Sequence, residues 1–168
     1  MAQPLSLYLV RHAIAAERGD EYPDDNLRPL TQKGSARFAE AVAGLAGLDV
    51  SLDTILTSPL VRARQTADIL AKGLRGSVPV TETEALRPGA RFEHVVRAVG
   101  ECGKSEAIAL VGHEPGIGEL AAKLIGASEP LAFGKGAVCR IEFDQWPPKG
   151  PGRLRWFLTQ KILRKLGE

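Results

Sequence analysis

Cysteine is scarce in this chain. Cys102 and Cys139 are the only two, they lie far apart, and they form no C-x-x-C. That excludes a disulfide-built scaffold, and small core thiols are the expectation. Cysteine usage of this kind suits a reducing, cytoplasmic setting. Long apolar runs are missing too. None approaches the roughly 18 residues that a membrane helix needs, so no span is expected. The opening "MAQPLSLYLV" has neither a charged leader nor a cleavage pattern, and we read no signal peptide there. Excess charge of one sign is also absent. Lys and Arg total 22 against 20 Asp and Glu, a net +2 that predicts neither nucleic-acid nor membrane partners. No repeat, low-complexity tract or long linker divides the 168 residues, so one domain spanning 1–168 is expected. His and Cys form no cluster with metal-ligand spacing, and no metal or cofactor is expected.

What is present is an alternation of strand and helix patterns. "LSLYLVR" (5–11) reads as a buried strand. The loop "ERGDEYPDDNLRP" is rich in turn formers. Thr31 suits the cap of a helix to about Leu45, with Phe38, Ala41, Val42 and Leu45 on one face. "LDTILTS" (52–58) is a second strand, and Pro59 suits the first turn of a helix at about 60–73. "VPVTE" (78–82) reads as a strand, "FEHVVRAV" (92–99) as a helix and "AIALVG" (107–112) as a buried strand. Pro115 opens a further helix to about Ile125. "AVCRIEF" (137–143) and "LRWFL" (154–158) alternate as closing strands and suit antiparallel edges. The pattern predicts an α/β three-layer sandwich, a mostly parallel sheet with helices on both faces. In such sheets ligands sit beyond the carboxyl ends of the strands.

Three of these strand ends carry unusual polar residues. The first ends in Arg11-His12. The second runs into "TSPLVRARQTA", with Arg62 in the first turn of the next helix. "IALVGHEPG" ends in His113. If these strands are neighbours, two arginines and two histidines meet in one crevice, with helix starts near 59 and 115 adding N–H groups. Arginine matches phosphate oxygens with a fork of donors, and neutral histidine is a nucleophile toward phosphorus. Taken singly, each residue has a structural reading. A lone strand-end histidine is commonly a satisfied core residue, and Arg62 could be a solvated helix residue, as we read Arg64; the mid-helix His94 reads as surface or packing. Three coincident strand ends favour a phosphoryl-binding site.

The motifs in order, Arg11-His12, "RPLTQKG" (28–34), "SPLVRARQTA" (58–67) and "GHEPGIG" (112–118), resemble the histidine phosphatase superfamily, in particular its small SixA-type phosphohistidine phosphatases. "LRWFLTQ" resembles the closing segment. The resemblance implies a phosphoglycerate-mutase-like fold and a metal-independent phosphatase. It implies that His12 is the nucleophile that becomes phosphorylated, that Arg11, Arg62 and His113 hold the phosphoryl oxygens, and that Arg28 stands at the pocket rim. Two departures stand out. Ala13 replaces the superfamily's usual glycine after the histidine, so that backbone must avoid positive φ. The segment "TETEALRPGARFE", where many members carry a glutamate acid, offers Glu82, Glu84 and Glu93, none at a clear acid position. It is also short, which implies a minimal lid.

Two further patterns are weaker. "AVGECGKS" (98–105) nearly matches a phosphate-binding P-loop, yet it ends a helix and leads into a strand, the reverse of that motif's context. "GIGELA" (116–121) matches a dinucleotide fingerprint, but His113-Glu114-Pro115 intervenes and Pro115 lacks an N–H. The acidic "DEYPDD" reads as a solvated loop. The basic tail "RLRWFLTQKILRK" reads as a solvated edge that could help dock an acidic partner surface. Three functions follow: a phosphatase for phosphohistidine on a signalling or transport protein, a phosphatase for small phosphate monoesters, and a non-catalytic module that binds phosphorylated partners.

Overall fold

The computed structural model describes residues 3–168. Met1 and Ala2, the start of the stretch read as leaderless, lie outside the described residues. Strand β1 (Leu5–Arg11) sits inside a six-stranded sheet beside β4 (Ala107–Gly112). With β2 (Thr54–Thr57), β3 (Val80–Glu82), β5 (Val138–Phe143) and β6 (Arg153–Leu158) the order is β3-β2-β4-β1-β5-β6. The first four in that order run parallel, while β5 is antiparallel to β1 and β6 to β5. The expectation of two closing edges is therefore half right. β5 is paired on both sides, and only β6 is an edge. The reason lies in its sequence: Val138, Cys139, Ile141 and Phe143 are all buried, whereas β6 exposes Arg153, Leu154 and Arg155.

Alternation along each strand sends side chains to two separate cores. From β1, Leu5, Leu7 and Leu9 face one core, while Tyr8 and Val10 face the other. Helices α3 (Phe92–Gly100) and α4 (Gly116–Ile125) close the first core. Helices α1 (Gln32–Gly47) and α2 (Val61–Gly73) close the second, with Phe38, Val42, Leu45 and Leu70 inside. The result is the expected α/β three-layer arrangement. Thr31 caps α1 as expected, its hydroxyl accepting the Gly34 N–H at 2.8 Å. None of the described helices is long and apolar enough to cross a membrane.

The tail is a correction. Its second half is no solvated edge but helix α5 (Gln160–Leu166), capped by Thr159 and anchored by fully buried Leu163. It packs on α1 so closely that a Cβ at Gly44 would lie 1.9 Å from the Leu163 carbonyl oxygen. The P-loop-like stretch is the end of α3 and a turn into β4, as its context implied. Cys139 is fully buried on β5, and burial pushes its thiol up to about 12, so it is an inert core residue. Cys102 is half-buried at the end of α3, and both cysteines are free.

Candidate active site

The register of the sheet builds the site. Arg11 of β1 pairs with Gly112 of β4, so His12 and His113 leave adjacent parallel strands side by side. The His12 N–H donates to the Gly112 carbonyl at 3.0 Å, and their rings stand 5.3 Å apart, centroid to centroid. Ser58, one residue beyond β2, donates its N–H to the Val111 carbonyl at 3.0 Å and so joins the same rim. After β1 the chain turns to α1 on one face; after β4 it turns to α4 on the other. The crevice opens where those two paths part. Arg62, in the first turn of α2, reaches it from below; it is 3% exposed, and both histidines are 6% exposed.

His12 is held in one tautomer. Its Nδ1–H donates to the Ala13 carbonyl at 2.7 Å, which leaves Nε2 bare. Ala13 keeps a negative φ, and its N–H donates to Thr66 Oγ1 at 3.0 Å, so the departure from glycine leaves this geometry intact. Burial drives the His12 pKa down to about 4, against the Ala13 carbonyl, and the charges of Arg62, Arg11 and Arg28 lower it further. His113 falls to about 3 through burial, then through His12 and Arg62. Both rings are therefore neutral at pH 7 in the ligand-free protein. A protonated His113, one way to complete the clamp, is not its resting form.

His113 can instead contribute through its tautomer. Ser58 Oγ accepts the Leu60 N–H at 3.2 Å and is hydrogen-bonded to His113 Nε2 at 2.8 Å, an arrangement in which the hydroxyl can donate to the ring. A ring that accepts at Nε2 carries its proton on Nδ1, and Nδ1 is buried without a protein partner. Arg11 Nε and Arg62 Nε are buried without partners as well. A buried donor left unpaired costs roughly 1–3 kcal/mol. With the bare His12 Nε2 they make a candidate cradle for a tetrahedral oxyanion.

The arginines are fixed from behind. Arg62 donates through Nη1 to the Asp25 carbonyl at 2.7 Å and through Nη2 to Asp25 Oδ2 at 3.0 Å. Arg28 donates through Nε to Asp25 Oδ1 at 3.0 Å and through Nη1 to the Ala16 carbonyl at 2.8 Å. Its side chain is 11% exposed. Partial burial would raise the Asp25 carboxyl, but the bonds and charges of Arg28 and Arg62 outweigh it and hold the carboxyl below its ordinary range. The "DEYPDD" loop is thus more than solvated polar chain: its last residue ties the clamp together. Arg11 is held by the Phe133 carbonyl at 2.8 Å.

Glu82 reaches Arg64 at 3.6 Å, Glu84 pairs with Arg87, and Glu93 is exposed on α3. None of the three lines the cleft of about 210 Å³ that opens beside His113 between α3 and α4, whose walls include none of His12, Arg11 and Arg62. The carboxylate lining it is Glu119 of α4, which the strand-end reasoning did not single out. His94 is exposed, and Arg64 pairs with Asp68 at 3.1 Å. Among the described residues, no group of three His, Cys, Asp or Glu gathers that could hold a metal ion.

The sequence model of the histidine phosphatase superfamily, branch 1, matches residues 7–88, which carry Arg11, His12 and Arg62. The chain belongs to the histidine phosphatase superfamily. As a member of it the chain is a phosphatase, and its histidine phosphatase fold is the one described above. It is 26% identical to the phosphohistidine phosphatase SixA of Escherichia coli, over 92% of this chain and 94% of that protein. A protein of Picosynechococcus without assigned function is 41% identical, over 78% of this chain and 75% of its own length. In structure the chain aligns with SixA complexed with tungstate at a TM-score of 0.83 and 24% identity, covering 95% of this chain and 99% of that one.

Proposed function

We propose that this histidine phosphatase hydrolyses phosphohistidine on a protein, through a phosphohistidine formed on His12. The observation that carries the reading is the bare Nε2 of buried, neutral His12, with the His113 ring beside it and Arg11, Arg62 and His113 each keeping a buried nitrogen without a partner. In the first step the Nε2 lone pair attacks phosphorus while the bond from phosphorus to the leaving imidazole breaks. Guanidinium donors of Arg11 and Arg62, with Nδ1–H of His113, hold the equatorial oxygens, whose charge they offset. In the second step water attacks phosphorus, its proton passes to the departing phosphate, and His12 leaves as neutral imidazole. The Ala13 carbonyl keeps hold of its Nδ1 proton throughout. SixA, the relative of known name, acts on phosphohistidine, and tungstate in its structure is a tetrahedral oxyanion like phosphate.

The carboxylates support this choice of substrate. An alkyl ester leaves as a poor alkoxide unless an acid protonates it. Asp25 is held ionised by its arginines, Glu82 and Glu84 are engaged by Arg64 and Arg87, and Glu93 is exposed. A phosphohistidine needs no such acid, because its imidazole carries a proton on the nitrogen not bonded to phosphorus and leaves neutral. Residues 83–91 also leave little chain for a lid, so the crevice suits a histidine displayed on a protein surface. The second reading, a small-ester phosphatase, is favoured by Glu119 alone, since it lines the cleft next to His113. The test is one rate series over a phosphohistidine protein, an aryl phosphate and an alkyl phosphate, with Glu82, Glu84, Glu93 and Glu119 each changed to Gln. We expect kcat/KM to fall in that order, and an acid-labile, base-stable phosphoprotein that His12→Ala abolishes. Superior alkyl hydrolysis, or a Gln variant that loses only ester turnover, hands the site to the small-ester reading.

A further inference from the structure

Glu114 follows His113 directly and has no part in the cradle, yet both of its carboxylate oxygens are used. Oε1 accepts the Gly118 N–H in the first turn of α4 at 2.7 Å. Oε2 accepts the Phe133 N–H at 3.3 Å. Phe133 lies in the irregular segment 131–136 that runs from α4 back to β5. The carbonyl of that same residue accepts Arg11 Nη1 at 2.8 Å. One carboxylate therefore ties the start of α4 to the residue that aims a cradle arginine. Gly118 permits the approach: a Cβ there would lie 2.0 Å from the Leu131 carbonyl oxygen and 2.8 Å from Glu114 Oε1. This also accounts for the second glycine of "GIGELA" without any dinucleotide.

We propose that Glu114 is a positioning residue that acts on the phosphoryl group through the Phe133 carbonyl and Arg11. The inference rests on the reading of Arg11 as a phosphoryl ligand. The segment has other anchors, so Glu114 is not its sole support. The Phe133 ring is buried against Phe157 at 4.7 Å, Leu131 N–H donates to the Gly118 carbonyl, and Gly136 N–H reaches the carbonyls of Arg11 and His12. These hold the segment in place, while the Glu114 bond fixes how the Phe133 backbone presents its oxygen to Arg11. The negative charge of Glu114 also favours the charged form of Arg11, whose pKa burial lowers.

The test is a double-mutant cycle on the full chain, with Glu114→Ala, Arg11→Met and the pair. The readouts are vanadate inhibition and kcat/KM for an aryl phosphate, with thermal melting recorded separately. Losing an orienting partner behind a metal ligand costs about 10–100-fold, and on that scale Glu114→Ala should weaken vanadate inhibition. Glu114→Gln, which keeps one acceptor but no charge, should fall between. In the Arg11→Met background the Glu114 change should add less than about twofold, because its path is already cut. Where Glu114→Ala does not fold, Glu114→Gln carries the same cycle. Vanadate binding unmoved in both Glu114 variants, or losses that multiply in the pair, overturn the proposal. If Arg11→Met alone leaves vanadate binding unchanged, it is the assignment of Arg11 that fails.

Discussion

Arg62 and Arg64 stand two positions apart on α2 and meet opposite surroundings. Arg62 is buried, doubly bonded to Asp25 and short of a partner at Nε. Arg64 is partly exposed and pairs with Asp68 and Glu82 at the surface, where an ion pair is worth about 0–1 kcal/mol. On the proposed mechanism Arg62→Ala removes a preorganised donor and should lower kcat/KM by about 10²–10³. Arg64→Ala should be close to neutral. Asp25→Ala should lie between them, because the backbone carbonyl of residue 25 still accepts Arg62 Nη1 after the carboxylate is gone. Steady-state kinetics with matched melting temperatures checks the order. A larger effect at Arg64 than at Arg62 would place the working face of α2 on the wrong side.

Helix α5 shows how little sequence signal a short element needs. Its seven residues offer one fully buried side chain, Leu163, while Ile162 and Leu166 are each 47% exposed. Seven residues would not hold a helix in water, so packing on α1 supplies the stability. Leu163→Ala should cost about 2–5 kcal/mol, whereas Ile162→Ala should cost much less. Gly44→Ala should also destabilise, since its methyl would press on the Leu163 carbonyl. Urea unfolding of the three variants reads this directly. Equal losses at 162 and 163 would mean α5 is not docked through Leu163.

Across the whole molecule, two neutral histidines buried at the junction of the sheet and helices tie stability to pH. His12 and His113 have folded pKa values of about 4 and about 3, below the ordinary value of 6.5. As pH falls below about 6.5, the unfolded chain takes up protons that the folded chain refuses. Their contribution is therefore complete above pH 6.5 and is lost progressively as pH falls toward 4 and then 3. At about 1.4 kcal/mol per pKa unit, the loss is on the order of several kcal/mol. Urea midpoints from pH 7 to 4 should fall steeply for the wild type. A His12→Gln/His113→Gln double variant should give a flatter profile, and phosphate should soften the wild-type loss by favouring protonated rings. Parallel profiles for the two proteins would show that the rings titrate normally.

The strands β1, β2 and β4 were legible from their continuous apolar runs, and α1 from Thr31 and its buried stripe, because burial and capping are written locally. The candidate site was legible for a related reason: a cation or imidazole at the end of an interior strand conflicts with the pattern around it, and Arg11, His12 and His113 each stand at such a break. Arg62 was legible by the motif around it. What only the tertiary structure decided depends on partners distant in sequence. Asp25 looked like any turn residue until Arg62, from another element, met it. Glu114 gained its proposed role only when residues 131–134 packed against the start of α4. The neutral state of His113 was set by burial and neighbouring charge, which no local pattern encodes. The sequence determined which residues had to be inside and which broke that rule; the fold determined what each exception touches.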